Sequence, residues 1–407
     1  MSYRELPRLD ECFRWFGPAD PVPLAFIRQA GAAAVFTALH EIPYGEAWPL
    51  EAIRARQQTL AAAGLRWAVA ESVPVHEDIK TGSGDLARLF ENYRISLRNL
   101  GQAGVRTVIY NFMPVLDWVR TDMRHVLPDG SECLRFDPVA FAAFEIHALK
   151  RPGAEADFSP EQVAAAGVWW HSLDAAGQDA FVRDIIDVFP GCKLGLGLDD
   201  IRSMLSRYAG IGRDQLFANL SRFLDAVLPA AEDAGVRLAI HPDDPPFSVL
   251  GLPRIVCNSL DLEAIFSASA SPSHGLCFCT GSLGALPGND LPDMVRRFAP
   301  RIHAAHLRST RLEASGAFHE ADHLDGSFSM PDVVKALLDE LDRRRVEGRD
   351  DWQIPMRPDH GHTMMDDLGK AVPLTPGYSA IGRMRGLAEL RGIMHGLRAA
   401  AGAARGG

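Results

Sequence analysis

The chain has 407 residues, of which 47% are hydrophobic, 23% are charged and 8% are aromatic, close to the average for a globular protein. This composition excludes a disordered, collagen-like or coiled-coil chain, and the length allows one large α/β domain or two ordinary ones. The formal net charge of -10 disfavours a nucleic-acid partner, because an acidic surface repels phosphate backbones.

The N-terminal segment and the cysteines give an expectation about the compartment. The segment Met1 to Asp10 contains no apolar signal region, and the chain contains no run of 18 or more apolar residues. The six cysteines lack the regular spacing of a small secreted domain. We therefore expect a cytoplasmic protein with no membrane partner, in which an important cysteine is a metal ligand or a core residue.

Apolar segments of strand length recur along the chain, each followed by a polar break and a segment of helical periodicity, as in a parallel sheet built from βα units. In chain order the predicted strands are Cys12–Phe16, Ala34–Leu39, Trp67–Val75, Arg106–Phe112, Arg237–His241, Gly275–Thr280, Ile302–Leu307 and Trp352–Pro358. The clearest helices are predicted over Leu50–Ala63, Arg88–Ala103, Gln215–Ala234, Leu291–Phe298 and Met330–Glu347. Eight such units predict a closed (β/α)8 TIM barrel.

The interval between the fourth and fifth predicted strands is too long for an ordinary connection. Residues 127–213 begin with a Pro128-Asp129-Gly130 turn and have helical periodicity from Ser159 onward. A structureless segment of this length is improbable inside a compact domain. We therefore predict one barrel domain over residues 1–407, with a helical insertion after strand four.

The ends of the last four strands carry residues that bind metals. Reactive groups of such a barrel lie at the carboxyl ends of its strands, and these ends hold His241, Cys279, His306 and Asp359. Each of them alone is more often a core, loop or cap residue. Their shared register on successive strands instead indicates a site for a divalent transition metal. Cys277 lies on the same strand face as Cys279 but further from this end.

Several long motifs give the chain a family resemblance. The segments FRWFGPADPV, TALHEIPYGEAWP, ESVPVHEDIKTG, YNFMPVLDW, AIHPDDPPFSVLGLPRIV, IPMRPDHGH and PGYSAIGR resemble those of D-mannonate dehydratase, a family similar to the xylose-isomerase-like barrels. The resemblance implies binding of Mn2+, or Fe2+ in some members. It also implies dehydration of D-mannonate to 2-dehydro-3-deoxy-D-gluconate and water in hexuronate catabolism.

The resemblance also implies roles for single residues. It assigns the metal to the same four residues, His241, Cys279, His306 and Asp359, and catalysis to His360 and Tyr378. Dehydration removes a proton from C2 and expels hydroxide from C3, so it requires a base and an acid. We favour Tyr378 as the base and His360 as the acid, and the reverse assignment stays open.

An anionic substrate with several hydroxyl groups requires cationic and hydrogen-bonding side chains near the metal. The candidates near strand ends are Arg308, Ser309, Arg357, His76, Lys80, Asn111 and His40. The planar guanidinium group of an arginine can bind a carboxylate through two parallel hydrogen bonds. The alternative to substrate binding is an exposed charge on a solvated loop for Lys80, and a structural role next to the substrate-binding residues for His40.

Other functions fit parts of this pattern. An isomerase acting on a related sugar would use a similar metal site, whereas a metal-dependent endonuclease would need a basic face and more ligands. The predicted ligands alone would suit Zn2+ at least as well as Mn2+, so the choice of Mn2+ follows from the resemblance. We expect a sugar acid as the small-molecule partner, no nucleic-acid partner, and a homo-oligomer of two or more subunits.

Overall fold

The computed structural model describes residues 7–187, 196–370, 372 and 374–406. In chain order its strands are β1 (Asp10–Arg14), β2 (Ala34–Thr37), β3 (Arg66–Glu71), β4 (Thr107–Tyr110), β5 (Asp122–Val126), β6 (Glu132–Phe136), β7 (Arg237–Ile240), β8 (His274–Cys279), β9 (Ile302–His306), β10 (Ser309–Leu312), β11 (Phe318–Ala321) and β12 (Pro355–Arg357). Strands β1–β4, β7–β9 and β12 close into a barrel in which neighbours in space follow chain order. The predicted TIM barrel is confirmed.

Burial on both faces explains why the barrel strands could be predicted from the sequence. All residues of β2, β4, β8 and β9 are buried, so these strands are mainly apolar, with polar residues chiefly at their ends. The barrel interior is filled by small and medium side chains around Phe36, which include Cys12, Ala239, Cys277 and Ala304. This packed interior forms the floor beneath the carboxyl ends of the strands.

The helices are α1 (Leu24–Gln29), α2 (Leu50–Ala62), α3 (Glu77–Thr81), α4 (Leu86–Gln102), α5 (Pro138–Ala143), α6 (Pro160–Ser172), α7 (Ala175–Asp187), α8 (Leu198–Ser206), α9 (Arg213–Asp233), α10 (Ser259–Ala268), α11 (Thr280–Leu283), α12 (Leu291–Phe298), α13 (Met330–Val346) and α14 (Ala380–Gly406). The five predicted helices are present as α2, α4, α9, α12 and α13. Side-chain caps such as Asp290 and Ser329 fix where α12 and α13 begin. No helix among the described residues is long and apolar enough to cross a membrane.

A second, antiparallel sheet lies outside the barrel in the order β10-β11-β6-β5. The hairpin β5–β6 follows the fourth barrel strand, and the hairpin β10–β11 follows the seventh. Neither was predicted, because their short strands mix polar and apolar residues. The helices expected from Ser159 onward are present as α6, α7 and α8, while the start of the predicted insertion contains strand β6. Residues 188–195 of the insertion lie outside the described residues.

Candidate metal centre and active site

Three of the four predicted metal ligands meet at the carboxyl ends of neighbouring barrel strands. His241 follows β7, Cys279 ends β8 and His306 ends β9, and Cys279 and His306 are paired in register. Their ligand atoms all lie within 4.8 Å of one another. We call these three residues the ligand triad. Two imidazoles and a thiol, with further coordination positions left for substrate or water, are typical of a catalytic transition-metal site.

The surroundings of the two histidines direct their lone pairs to a common point. His241 Nδ1 lies 2.7 Å from the carbonyl oxygen of Pro242, which can only accept, so this nitrogen carries the proton. His306 Nε2 lies 3.3 Å from Glu71 Oε1, and the carboxylate favours a proton on that nitrogen. The remaining atoms, His241 Nε2 and His306 Nδ1, are 3.2 Å apart. Arg357 Nη2 also lies 3.3 Å from His306 Nδ1, and a metal ion or a shared proton between the two imidazole nitrogens would satisfy both lone pairs.

The charges around the triad also favour a cation. Burial lowers the pKa of His241, but the nearby Cys279, Asp359 and Glu71 outweigh this effect and raise the pKa to about 9. By contrast, burial, with Arg357 adding to it, holds the pKa of His306 well below its ordinary value. The anionic groups around His241 therefore favour positive charge at this point of the site, which is compatible with a bound cation.

The fourth predicted ligand, Asp359, lies beside the triad. It follows β12 in the left-handed backbone region, with φ at 65°, and its Oδ2 lies 3.6 Å from Cys279 Sγ. Arg308 Nε is 2.7 Å from the same oxygen, and Arg357 pairs with the other one. Burial would raise the pKa of Asp359, but Arg357, His360 and Arg308 hold it well below its usual range. An anionic carboxylate therefore faces the thiol of Cys279.

A cavity of about 970 Å³ opens at this end of the barrel. The predicted site residues that line it are His40, Asn111, His241, Arg308, Arg357, Asp359, His360 and Tyr378. Its lining also includes Arg14, Glu71, Asp117, Trp118 and Asp244. A concave, polar cavity bordering a metal-ligand triad is the expected setting of an active site for a small polar substrate.

His360 and Tyr378 form the predicted catalytic pair within this cavity. The hydroxyl oxygen of Tyr378 lies 3.1 Å from His360 Nε2, and Nδ1 of the same ring lies 2.5 Å from Glu320 Oε1. Because a carboxylate only accepts, Nδ1 carries a proton, and Nε2 is the nitrogen that meets the tyrosine hydroxyl. Burial raises the pKa of Tyr378 to about 12, although Arg357 opposes the shift. The hydroxyl group is therefore protonated at neutral pH.

The two predicted arginines line the cavity, but carboxylates already neutralise them. Arg357 donates to both oxygens of Glu71, at 3.0 and 2.7 Å, and also pairs with Asp359. Arg308 is in contact with three carboxylates, those of Asp244, Glu320 and Asp359. These buried networks fix the arginine forks rigidly along the cavity wall.

The polar residues at the opening of the cavity are held differently. Burial and the neighbouring Arg14 lower the pKa of His40 to about 3, so its imidazole is neutral and lies 3.1 Å from the Arg14 guanidinium. Asn111 carries a buried Oδ1 atom without a hydrogen-bond partner among the described residues. The Asn111 amide also interacts with Asp117, whose pKa is raised by burial. An unpartnered amide oxygen can accept from a substrate hydroxyl.

His76, Lys80 and Ser309 do not belong to the cavity lining. His76 caps α3, since its Nδ1 accepts from the backbone N–H of Asp78 at 3.1 Å. Lys80 donates to Glu77 at 2.6 Å and to the carbonyl oxygen of Met113 at 2.7 Å. Ser309 is buried at the start of β10. His76 and Lys80 thus hold segments that follow barrel strands, whereas Ser309 Oγ is buried without a hydrogen-bond partner among the described residues.

Sequence reasoning missed several residues of the site. Arg14 and Glu71 end β1 and β3, and Asp244 follows His241 by three residues, so the strand-end argument could have included them. Glu320 gave no such signal, because it lies in a strand of the second sheet. Its place beside His360 depends on a strand pairing that no local pattern reveals.

A closed eight-stranded parallel barrel, with a ligand triad beside a cavity that His241, His360 and Tyr378 line, defines the class as TIM-barrel enzymes of small polar substrates. The comparisons identify the family. Residues 9–403 match the family model described as D-mannonate dehydratase (UxuA), and the chain belongs to this family. The resemblance recognised in the sequence motifs is therefore confirmed.

Individual relatives agree with this assignment. The chain is 51% identical over 391 residues to a mannonate dehydratase of Marinomonas sp., covering 96% of this chain and 99% of the relative. It is 49% identical over 386 residues to a mannonate dehydratase of Chromohalobacter salexigens, covering 95% and 98%. The crystal structure of mannonate dehydratase from Streptococcus suis serotype 2 superimposes with a TM-score of 0.73 at 34% identity, covering 97% of this chain and 95% of that chain.

Proposed function

We propose that this protein is a hydro-lyase that dehydrates D-mannonate to 2-dehydro-3-deoxy-D-gluconate and water, using one divalent metal ion. Membership of the D-mannonate dehydratase family supports the reaction. The observation that carries the proposal in the structure is that the His360–Tyr378 pair lines the same cavity as His241 of the ligand triad and the neighbouring Asp359.

We assign the metal to His241, Cys279, His306 and Asp359. The clustering of their ligand atoms within 4.8 Å of one another supports the first three, and the anionic carboxylate beside Cys279 supports the fourth. The family favours Mn2+ as the resident ion. When bound, such an ion acts as a Lewis acid that stabilises the negative charge developing next to the substrate carboxylate.

The catalytic pair carries out the proton transfers. The lone pair of His360 Nε2 takes the proton from C2, the electron pair of the C2–H bond forms the C2=C3 double bond, and the C3–O bond breaks. Tyr378 gives its hydroxyl proton to the departing oxygen, which leaves as water. The proton on His360 then returns to the tyrosine oxygen 3.1 Å away, and the enol product becomes the 2-keto acid.

This assignment reverses the roles favoured from the sequence. The contact of His360 Nδ1 with Glu320 leaves Nε2 free to accept, which supports a base. The pKa of about 12 at Tyr378 keeps its hydroxyl protonated, which supports an acid. The pair therefore holds one acceptor and one donor side by side before substrate binds.

We assign the predicted substrate contacts by their place in the cavity. Arg308 and Arg357 form the wall that orients the carboxylate end, while Asn111 and His40 face the hydroxyl groups. Of the other three candidates, His76 and Lys80 act by holding the loops around the cavity, and Ser309 lies outside the cavity lining. Arg14 adds a cationic group that the sequence reasoning did not include.

Incubation of the purified protein with Mn2+ and D-mannonate tests the proposal. Chromatographic detection of the 2-keto-3-deoxy acid is the expected result. Turnover of an aldose or ketose without reaction of mannonate would contradict it and favour an isomerase. Size-exclusion chromatography tests the further prediction of a homo-oligomer.

A further inference from the structure

Glu320 lies behind His360, on the side of the ring that faces away from Tyr378. It belongs to β11 in the sheet outside the barrel, and its side chain is 4% exposed. Its Oε1 atom is 2.5 Å from His360 Nδ1 and also pairs with Arg308. The two imidazole nitrogens of His360 thus have different nearest partners, a carboxylate at Nδ1 and a hydroxyl at Nε2, while Asp359 Oδ1 lies further from Nε2 at 3.9 Å.

We propose that Glu320 is the positioning residue of His360, which fixes the ring and its tautomer so that the Nε2 lone pair faces the cavity. This inference rests on the function proposed above for His360. A carboxylate at one imidazole nitrogen holds the proton there and leaves the opposite nitrogen as the acceptor.

Arg308 makes this role of Glu320 necessary. Its Nη1 atom lies 3.3 Å from His360 Nδ1, and an arginine only donates. Without Glu320, this guanidinium would be the remaining partner at Nδ1 and would favour a lone pair on that nitrogen. The proton would then move to Nε2, and the ring would present a donor to Tyr378 and the substrate.

The second sheet and a buried arginine hold Glu320 in place. Arg120 is fully buried with its Nη2 atom 3.7 Å from Glu320 Oε1, and it donates to both oxygens of Asp244 at 2.7 and 3.2 Å. Strand β11 pairs with β10 on one side and β6 on the other. The sheet outside the barrel thereby contributes to the active site through one carboxylate.

Steady-state kinetics of two variants test the inference. For Glu320→Ala we expect kcat to fall by about 10²- to 10³-fold, as for loss of general acid–base assistance, with KM changed by less than about threefold. Glu320→Gln keeps an oxygen that Arg308 holds toward Nδ1, so we expect an intermediate loss. Bound metal, measured in the same samples, should stay at the wild-type level.

Glu313→Ala is the matched control. Glu313 follows β10 of the same sheet, accepts from Arg135 at 3.0 and 2.9 Å, and lies 3.2 Å from His319 Nδ1. It therefore also forms a Glu–His–Arg contact, but its residues do not line the cavity. We expect this variant to retain the wild-type kcat.

The tautomer gives a readout that is independent of turnover. In protein labelled with 15N-histidine and loaded with diamagnetic Zn2+, Nδ1 of His360 should show the shift of a protonated nitrogen, assigned through its absence in His360→Gln. In Glu320→Ala the proton should appear on Nε2. This measurement separates a failure of the positioning role from a failure of the proposed reaction.

Three kinetic results would overturn the inference. They are a kcat of Glu320→Ala within about threefold of wild type, a decrease in its kcat that is proportional to a decrease in bound metal, and an equal decrease in kcat in Glu313→Ala. An unchanged His360 tautomer in Glu320→Ala would overturn it as well. If Glu320→Ala does not fold, the same measurements are made on Glu320→Gln. The inference is then overturned if the His360 proton lies on Nε2 in Glu320→Gln while kcat is unchanged.

Discussion

Cys277 and Cys279 lie two residues apart on one face of β8, yet only Cys279 belongs to the ligand triad. Cys279 ends the strand, with its Sγ 3.6 Å from Asp359 Oδ2, whereas Cys277 packs in the barrel interior among Phe36 and Ala304. Both thiols are fully buried. One pleat of the strand therefore separates a metal-ligand position from a core position.

This relationship predicts different results for two substitutions of the same size. Cys279→Ala should lose most of the bound metal and at least about 100-fold in kcat/KM, because the triad loses its thiolate. Cys277→Ala should keep both the metal and the activity. Elemental analysis and product formation from D-mannonate measure the two effects. Equal metal contents in the two variants would disprove the ligand assignment of Cys279.

Tyr378→Phe should lower kcat by about 10²- to 10⁴-fold, because the leaving hydroxyl then lacks its proton donor. Metal binding should persist, since the tyrosine is outside the triad. Tyr44 also lines the cavity but is 48% exposed, so Tyr44→Phe serves as the control and should keep its kcat. Full activity of Tyr378→Phe would remove that residue from the mechanism.

Arg120→Met should destabilise the fold by about 3 kcal/mol, because it leaves buried carboxylates without one of their partners. The Arg120 guanidinium is fully buried and pairs with Asp244. Lys335→Met removes the exposed pair with Asp339, which should cost less than about 1 kcal/mol. Urea unfolding of both variants compares the two costs. Similar values for the two would show that Arg120 has no special role in stability.

The buried histidines predict a loss of stability in mild acid. Burial, with a smaller effect of Arg344, lowers the pKa of His303 to about 3. Below the unfolded-state value of about 6.5, the unfolded chain binds a proton that the folded chain does not, so stability falls as pH decreases. His274 has a similarly lowered pKa of about 3 and adds to the effect.

His303→Gln should reduce this loss by about 1.2 kcal/mol between pH 7 and pH 5.5. The free energy of unfolding, measured in urea at both pH values, gives the difference. The matched control is His171→Gln, since His171 lies on the exposed face of α6 and should leave the pH dependence unchanged. An unaltered pH dependence in His303→Gln would contradict burial of a neutral imidazole at this position.

The barrel and the ligand triad could be predicted because local patterns encode both. Strands such as β8 are buried and mainly apolar, and their ends mark where His241, Cys279 and His306 must meet. The second sheet could not be predicted, because Phe318 pairs with Phe136 across a long stretch of chain and β5 is short and polar. Glu320 was missed for the same reason.

The ion pairs of the buried arginines also could not be predicted from the sequence. Arg308 remains a predicted contact of the substrate carboxylate, and the structure adds that its guanidinium also contacts Asp244 and Glu320. Those carboxylates come from a loop after β7 and from β11, so their convergence depends on the whole fold. Residue type and strand register predict which groups reach a site, whereas tertiary structure decides how their charges are balanced.

Titration of metal into chelator-treated protein tests the central claim most directly. We expect no formation of 2-dehydro-3-deoxy-D-gluconate from D-mannonate without metal. Upon addition of Mn2+, activity should rise linearly and reach a plateau at about one equivalent per chain, as expected for a single ion held by the triad. Full turnover by the metal-free protein, or no turnover at any Mn2+ concentration, would contradict the account.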